Sequence, residues 1–558
     1  MIARPAPFVS LLLVLLLALA ACSPTAEPPD DQALGADEVR DEEPAGEGDR
    51  LERLRLAGGD FGQPSPFAWV RGPGRIQTGF VFDTLLWLDT DGELIPWLAE
   101  DWEVSDDGLE WTFSLRDNVT WHDGEPLTAA DVAFTFEYKT QGPGAEAGGG
   151  SGLDVVDEVV ATGEHEVVFR LPEPYAAFEH NIAGLWGMFV LPEHIWSQVD
   201  DPGRYLEDDA FVGTGAYHLV EFDDAAGTYL YEANDDFFLG APHVQRLEFI
   251  PEMDDELLAL QRGEIDAAQV SRDPVPQAQF DAFQEQFGYI ETSGEWTHAL
   301  HFNLEQGFPY DERDFRHAVA YAIDQEDMVE RLLFGRGAPG SAGGLTPTHP
   351  DNPGDLPTYD HDPEVAGELL DGLGLQDQDG DGWRQLPDGE PFTIELLSSQ
   401  RFGPNDPQLV AEYLAEVGLN VEVAMRDRAT ADEAGQEGTY TMALHGYGGL
   451  EGDPDTLRTR YHSEAPPRGH SGVHGYVNAE FDELAEQQLM VLDDAERTEL
   501  VAQMQHILAE DLPVLSLYTP DRMLFYDEST FDAWGFTPTC TPCGATRNKL
   551  FYVTGASR

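Results

Sequence analysis

Lysine is nearly absent from this chain of 558 residues, because arginine supplies all but two of its 30 basic side chains. The two lysines are Lys139 and Lys549. Acidic residues number 106, which gives a formal net charge of −76. A chain so negative repels phosphate groups, so a nucleic-acid-binding function is excluded. We interpret the acidic excess as a solvated surface suited to a salty or alkaline setting.

Long apolar runs are also missing, with one exception at the N-terminus. Residues 8–21 form an apolar run that is too short for a permanent membrane span. Residues 19–22 (LAAC) resemble the bacterial lipobox, in which the cysteine is acylated. We therefore predict a lipoprotein signal peptide over 1–22, a lipid on Cys22 as the sole anchor, and a disordered acidic tether over 23–50. An ordinary signal peptide with an accidental cysteine is the alternative.

Cysteine is rare as well, and the other two cysteines, Cys540 and Cys543, stand in a short CTPC segment. Outside the cytoplasm a disulfide is the default for such a pair, so we predict a local disulfide. Its short loop would stabilise the fold little through chain entropy. A redox role would need a thioredoxin-like strand and helix, and zinc would need two further ligands; both stay as alternatives.

Signatures of catalysis are missing too. No G-x-S-x-G, H-E-x-x-H or phosphate-loop pattern occurs. Paired carboxylates carry no information among 106 acidic residues. His462, His470 and His474 cluster, but the glycines around the last two favour a polar loop over a metal site. The sequence predicts a protein that is not an enzyme and needs no cofactor, with structural calcium as the one exception to consider.

One acidic segment matches part of a calcium-binding loop. Asp377, Asp379, Asp381 and Asp388 occupy positions 1, 3, 5 and 12 of the pattern, and Gly382 occupies position 6. The last ligand is Asp where Glu is usual, and no strong helix leads from the segment. A hydrated acidic turn is the favoured interpretation, and a structural calcium ion is the alternative.

The chain is rich enough in apolar residues to build large cores. Hydrophobic residues make up 41% of the sequence and aromatic residues 11%. Residues 110–115 alternate as a half-buried strand does. Thr128 and Asp131 form a capping box, and helices are predicted over 314–322 and 325–334. Strands and helices mix without a repeat, which indicates an α/β or α+β body of several lobes.

A series of motifs in a fixed order resembles one protein family. The segments are IPWLAEDWE at 95–103, WHDGEPLT at 121–128, LPEHIW at 191–196, GTGAY at 213–217, GEID at 263–266, DFRHAVAYAID at 314–324, GDPD at 452–455 and EDLP at 510–513. They are similar to motifs of the extracytoplasmic solute-binding proteins of the peptide/nickel class, family 5, of ABC importers. Each motif alone is weak, but their common order is specific.

The resemblance implies an α/β fold, periplasmic-binding-protein-like type II, with two lobes, a hinge and an extra small domain. The first lobe would comprise 51–83, 205–285 and 510–558. The accessory domain would comprise 84–204, and the second lobe 286–509. Such proteins close their lobes over a ligand by hinge motion.

The resemblance also implies residues of a ligand cleft. Arg401 matches an arginine that grips the ligand carboxylate in dipeptide-binding relatives. Leu450 stands where those relatives place an aspartate for the ligand ammonium, so Glu451 or Asp453 would have to replace it. The candidate aromatic walls are Trp121, Trp186, Trp296 and Tyr447. The plainer alternatives are a surface position for the arginine and core positions for the aromatic residues.

These expectations combine into one functional prediction. The protein would be the lipid-anchored substrate-binding component of an ABC importer, capturing oligopeptides or a similar small solute outside the cytoplasm, in the periplasmic space or at the outer face of the membrane. Its partners would be that solute and the permease subunits with their ATPase. A chemosensory receptor of the same fold, or a cleft for an oligosaccharide or metal chelate, is the alternative. Asp455 stands where nickel-binding relatives appear to carry histidine, so nickel is not favoured.

Overall fold

The computed structural model describes residues 50–555, with gaps at 60, 69–71, 91, 147–152, 154, 185–186, 224, 252, 254, 271–274, 295, 403, 449–451, 466–472 and 538–544. These residues belong to one unit of the chain, 45–558. None of the helices in this part combines the length and apolar character that a membrane span needs. The predicted features that fall outside the described residues are the signal peptide, residues 23–49 of the tether, Cys22, Trp186, Leu450, Glu451, His470, Cys540 and Cys543.

The strands, numbered in chain order, are β1 (Leu54–Ala57), β2 (Leu86–Leu88), β3 (Leu94–Pro96), β4 (Ala99–Val104), β5 (Glu110–Leu115), β6 (Glu158–Ala161), β7 (Glu166–Arg170), β8 (Tyr217–Asp223), β9 (Thr228–Ala233), β10 (Arg246–Ile250), β11 (Ala267–Val270), β12 (Gly288–Thr292), β13 (Thr297–Phe302), β14 (Gly337–Pro339), β15 (Thr393–Ser399), β16 (Asn420–Arg426), β17 (Met442–Tyr447), β18 (Val514–Pro520) and β19 (Arg522–Tyr526).

The helices are α1 (Gly72–Val81), α2 (Ala129–Thr140), α3 (Pro143–Glu146), α4 (Phe178–Ile182), α5 (Glu193–Trp196), α6 (Glu256–Gln261), α7 (Gln277–Gln284), α8 (Arg313–Ala322), α9 (Gln325–Leu333), α10 (Pro363–Gly372), α11 (Asn405–Glu416), α12 (Arg428–Glu437), α13 (Thr456–Tyr461), α14 (Ala479–Gln487), α15 (Asp494–Asp511) and α16 (Lys549–Thr554).

Local sequence signals set several of these elements. In β5 the side chains alternate between buried and more exposed positions, as predicted. At the start of α2 the capping box forms, because the Thr128 backbone N–H donates to Asp131 at 2.9 Å. Helices α8 and α9 are separated at Asp324, whose carboxylate accepts from the Asp327 N–H at 2.8 Å and caps α9. The predicted cap and helix pattern is confirmed at each of these positions.

Five sheets organise the described residues. By the predicted limits, the strands of sheets β1-β10-β9-β8 and β11-β19-β12 fall in the first lobe, except β12, and those of sheets β2-β3 and β4-β5-β7-β6 fall in the accessory region. The strands of sheet β14-β18-β13-β17-β15-β16 fall in the second lobe, except β18. We call β1-β10-β9-β8 the first-lobe sheet and the six-stranded sheet the second-lobe sheet. The mixture of parallel and antiparallel pairing confirms a mixed α/β class with several sheets.

Two strands pair across the predicted lobe limits. Strand β12, just after the predicted limit at 286, pairs with β19. Strand β18, just after the predicted limit at 510, pairs with β13 in the second-lobe sheet. The chain therefore passes from one sheet to the other between β12 and β13 and again between β18 and β19. A Cβ atom on Gly294 would lie 1.8 Å from the Pro520 carbonyl oxygen, so the two crossings touch and glycine is required there.

The largest core joins the first-lobe sheet to the accessory region. Its fully buried side chains include Trp87, Trp97, Trp121 and Trp196. The rings of Trp87 and Trp97 stack with centroids 5.2 Å apart. Trp121, proposed above as a cleft aromatic, is only 2% exposed and packs inside this core, so the plainer core interpretation is the correct one for it.

Candidate functional site

Three parallel strand ends meet at one edge of the second-lobe sheet. Strands β15, β16 and β17 run in the same direction, and β13 runs against β17 with Thr297 opposite Tyr447. The carboxyl ends of the parallel strands therefore lie beside the start of β13. Open α/β sheets bind ligands in the crevice at such an edge. We call this position the second-lobe edge.

An aromatic surface is built at the second-lobe edge. The indole of Trp296 lies directly on the backbone of Gly446, because a Cβ atom there would be 2.1 Å from the Trp296 Nε1 atom and 3.0 Å from Phe402. Phe402 is buried, and its ring lies 5.4 Å from the ring of His445. Gly446 is thus needed for steric reasons, since any larger side chain would displace the indole. Rigid aromatic faces of this kind suit apolar parts of a small ligand.

A buried polar group supports this surface from below. The Asp406 carboxylate, in the first turn of α11, lies 2.8 Å from His298 Nδ1 and accepts the Tyr518 hydroxyl at 2.5 Å. The rings of His298 and Tyr518 stack at 4.5 Å, and His298 meets Phe402 edge-on at 5.1 Å. Burial and then Asp406 raise the pKa of Tyr518, which keeps its hydroxyl a donor.

Sequence reasoning missed this His298–Asp406–Tyr518 group. His298 in β13 and Tyr518 in β18 carry no signal of their own, because other polar residues such as His301 and Ser516 stand in the same strands. Their contact with Asp406 carries none either, since the three residues come from distant segments.

The predicted ligand residues Arg401 and Tyr447 follow the same edge. The backbone of residues 400–402 forms a single 3-10 turn directly after β15, and Tyr447 is the last residue of β17. Only the backbone is described at these two positions. The structure therefore brings the positions of Arg401, Trp296 and Tyr447 to one edge.

Asp453 lines a polar cavity of about 700 Å³. The cavity is lined on one side by the accessory region, including Trp102, Glu179 and His180, and on the other by the second lobe, including Asp453 and Arg497. The Trp102 Nε1 atom donates to Glu179 at 3.0 Å, and burial raises the pKa of Glu179. The cavity therefore lies between two regions of the chain, and few of its walls are apolar.

The Asp453 carboxylate is already paired inside the cavity. Arg497 donates two hydrogen bonds to it, at 2.8 and 2.6 Å, and His180 Nδ1 lies 3.7 Å away. Burial raises the pKa of Asp453, but the Arg497 hydrogen bonds and charge outweigh it, so the pKa lies below its ordinary value. A ligand ammonium would have to share this carboxylate with a bidentate arginine, which makes Asp453 a structural partner first.

The acidic segment adopts a tight turn. The Asp377, Asp379 and Asp381 carboxylates approach within 4.8 Å of one another, and all three side chains are exposed. Asp377 accepts the N–H groups of Gly380 and Gly382 at 2.7 and 3.0 Å, which lowers its pKa. The Asp388 carboxylate instead accepts from Glu390 N–H in its own turn. Three of the four predicted ligands therefore cluster, and the fourth is not part of the cluster.

Comparisons with known proteins agree on one family. Residues 93–467 match the family model described as bacterial extracellular solute-binding proteins, family 5 Middle. The chain is 26% identical over 449 residues to the dipeptide-binding protein of Escherichia coli (strain K12), covering 76% of this chain and 80% of that protein.

Solved structures share the fold. The oligopeptide-binding protein AppA from Bacillus subtilis, solved with a nonapeptide, superposes with a TM-score of 0.70 at 22% identity, over 89% of this chain and 99% of that one. NikA from Brucella suis, solved with Fe(III)-EDTA, gives 0.76 at 21% identity with the same coverage. The predicted type of fold is confirmed, and the chain belongs to the bacterial extracellular solute-binding proteins of family 5.

Proposed function

We propose that this protein captures peptides outside the cytoplasm and delivers them to the permease of an ABC importer. The observation that carries the proposal is the second-lobe edge, where an aromatic surface lies at the carboxyl ends of three parallel strands. The two touching crossings between the lobes supply a hinge about which the lobes can close. The names of family relatives, which describe dipeptide and oligopeptide binding, support peptide as the solute class.

Arg401 provides the sharpest test of the proposal. Removing a guanidinium that makes two charge-assisted hydrogen bonds to a ligand carboxylate out of water typically costs about 2–5 kcal/mol of binding free energy. Arg401→Ala should therefore weaken peptide binding by roughly 30-fold to several thousand-fold in calorimetry. Arg401→Lys should recover only part of the loss, because an ammonium lacks the planar fork. Arg204→Ala, at a side chain that is 88% exposed, is the matched control.

The outcome for Arg401 decides the carboxylate anchor. Unchanged affinity in Arg401→Ala, with Arg204→Ala also unchanged, would contradict it. Failure of any peptide to bind the wild type would contradict the peptide proposal itself.

The N-terminal end of the peptide would be held loosely. Leu450 cannot accept an ammonium, and Asp453 is paired with Arg497. N-acetylated peptides should therefore bind about as well as free peptides. A large loss of affinity on acetylation would show that an acidic residue such as Glu451 binds the ammonium.

We further propose that acylated Cys22 anchors the protein to the membrane and that it has no enzymatic activity. Cys22→Ser should abolish lipid modification and release the protein into the aqueous phase on detergent partitioning. Retention of the variant in the detergent phase would contradict the anchor. The permease partner is open to a separate test, because import of a labelled peptide should require the protein and its permease together.

A further inference from the structure

One ring nitrogen at the second-lobe edge has no partner. His298, the second residue of β13, contacts Asp406 and Tyr518 through its Nδ1 atom, at 2.8 Å in each case. Within the described part of the chain, His298 forms no other hydrogen bond or ion pair. Its Nε2 atom is not one of the buried polar atoms that lack a partner there, so solvent reaches it. The side chain as a whole is only 11% exposed, which leaves Nε2 as the open end of an otherwise enclosed ring.

The imidazole ring is held in one orientation. It stacks on the ring of Tyr518 with centroids 4.5 Å apart, and it meets the ring of Phe402 edge-on at 5.1 Å. Turning the ring over would carry Nδ1 away from Asp406, whose carboxylate is buried. Because a buried acceptor that loses a donor is costly, Nδ1 stays turned toward Asp406 and Nε2 stays turned away from it.

The same contact decides which nitrogen holds the proton of a neutral ring. The Asp406 carboxylate also accepts the Tyr518 hydroxyl at 2.5 Å, so it acts as an acceptor toward both neighbours. A lone pair on Nδ1 would repel the carboxylate oxygen 2.8 Å away, whereas an N–H at Nδ1 donates to it. The proton of the neutral imidazole therefore lies on Nδ1, and Nε2 carries a lone pair that can accept a hydrogen bond.

An acceptor is what this part of the edge otherwise lacks. His298 stands opposite Gly446 in the sheet, on whose backbone the indole of Trp296 lies. The side chains of Trp296 and Phe402 offer apolar faces but no oxygen or nitrogen acceptor. A peptide that lies on these rings loses water from its N–H groups, and an N–H left without an acceptor costs binding free energy.

We propose that His298 Nε2 accepts a hydrogen bond from one main-chain N–H group of the bound peptide. Asp406 holds the ring in the orientation and protonation that this contact needs. The peptide nature of the solute rests on the proposed function. The contact would make the site selective for backbone chemistry at one position of the peptide, where proline, which has no N–H, would be disfavoured.

Two substitutions of His298 separate the contact from a structural role. Asparagine can keep an N–H donor near the position of Nδ1, but it has no atom at the position of Nε2. Glutamine can place its amide oxygen near Nε2, but it loses the donor to Asp406. His298→Asn should therefore weaken binding while keeping a melting temperature near that of the wild type. His298→Gln should lower the melting temperature and keep most of the affinity.

Calorimetry with alanine peptides of two to five residues measures these effects, and the tightest binder is carried forward. His298→Asn should lower its affinity by about 5- to 100-fold, the range expected when one hydrogen bond is lost and an N–H is left unsatisfied. His194→Asn is the matched control, because His194 Nε2 also lies 2.8 Å from a carboxylate, that of Asp123, in the accessory region. Its affinity should equal that of the wild type.

An ester scan of the peptide identifies the donor. Each main-chain N–H of the tightest binder is replaced in turn by an ester oxygen, which removes the donor without adding bulk. At one position the ester should bind the wild type about 5- to 100-fold more weakly, and His298→Asn should show no further loss with that ester. Proline at that position should be disfavoured as well. In wild-type protein labelled with 15N in histidine, the Nε2 signal that His298→Gln removes should shift with the peptide and not with that ester.

The outcomes separate this contact from the proposed function. If an alanine peptide binds the wild type and both His298 variants equally well, the contact is wrong and peptide capture stands. If His298→Gln loses affinity while His298→Asn keeps it, the ring only supports the edge and the contact is wrong. The same conclusion follows if no ester position couples to His298→Asn. If none of the peptides binds the wild type, peptide capture is contradicted and the contact falls with it.

Discussion

Lys549 and Lys139 are equally buried, but their surroundings differ in one respect. The Lys549 Nζ atom contacts the Asp83 carboxylate, donates to the Phe82 carbonyl at 3.0 Å and lies 4.2 Å from the Trp87 ring centre. Lys139 has an aromatic ring in the same role but no carboxylate among the described residues. Burial lowers the pKa of both, yet Asp83 opposes this shift for Lys549, whereas Arg75 adds to it for Lys139.

The difference separates a buried cation that has a counter-ion from one that has no carboxylate partner among the described residues. Asp83 also accepts from Trp97 Nε1 at 2.6 Å and from the Thr214 hydroxyl at 2.7 Å, so every member of that group is satisfied. The group joins helix α16 to the largest core. Burial without a counter-ion lowers the pKa of Lys139 to about 7, so its ammonium is expected to destabilise the folded protein.

The largest expected change in stability comes from removing Lys549, the cation that has a counter-ion. Lys549→Met leaves Asp83 buried without its counter-ion, which typically costs about 3–5 kcal/mol. The free energy of unfolding from urea titration at pH 7 should fall by that amount. The double variant Lys549→Met/Asp83→Asn should recover part of the loss, because it removes the stranded charge. An unchanged free energy of unfolding in the single variant would mean that the ion pair does not stabilise the fold. It would contradict the difference drawn here between Lys549 and Lys139.

Lys139→Met should act in the opposite direction. Each unit by which burial lowers a lysine pKa corresponds to about 1.4 kcal/mol, so the variant should gain about 2–4 kcal/mol at pH 7. Between the folded pKa of about 7 and the ordinary value of 10.5, the unfolded chain holds one proton more than the folded one. The wild type should therefore gain stability relative to the variant as pH rises through this window. A loss of stability in Lys139→Met would show that the ammonium has a stabilising partner and would contradict the contrast with Lys549.

The second lobe allows a smaller test of how far a buried charge depends on its partners. Asp406 is buried but paired with His298 and Tyr518 beneath the second-lobe edge. Tyr518→Phe removes one donor and leaves the other, so we expect a loss of about 1–2 kcal/mol in the free energy of unfolding. Tyr526→Phe, on β19, which follows β18 along the chain but belongs to another sheet, is the control for loss of a hydroxyl. A loss as large as that of Lys549→Met would show that His298 alone cannot satisfy the carboxylate.

Sequence predicted the local and ordered features of this molecule, but not these buried polar groups. The capping box at Thr128 and the break at Asp324 depend on neighbouring residues, so the chain itself carries their signal. The motif order indicated the fold, because it reflects a whole topology. Lys549 and Asp83, by contrast, are 466 positions apart, and no local pattern marks their contact. The rarity of lysine was the one available hint, since a residue used twice in 558 positions invites the question of where it lies.

The smallest effect is expected where charges are neither buried nor paired. Asp377, Asp379 and Asp381 are exposed, so water and salt screen their mutual repulsion. If they bind calcium, millimolar Ca²⁺ should raise the melting temperature of the wild type by about 1–3 °C and leave Asp377→Ala unchanged. Asp388→Ala should keep most of the response, because Asp388 is not part of the cluster. Equal shifts in the wild type and in Asp377→Ala would reduce the segment to a hydrated acidic turn. Loss of the response in Asp388→Ala would instead show that calcium draws in the fourth carboxylate, as the sequence pattern predicts.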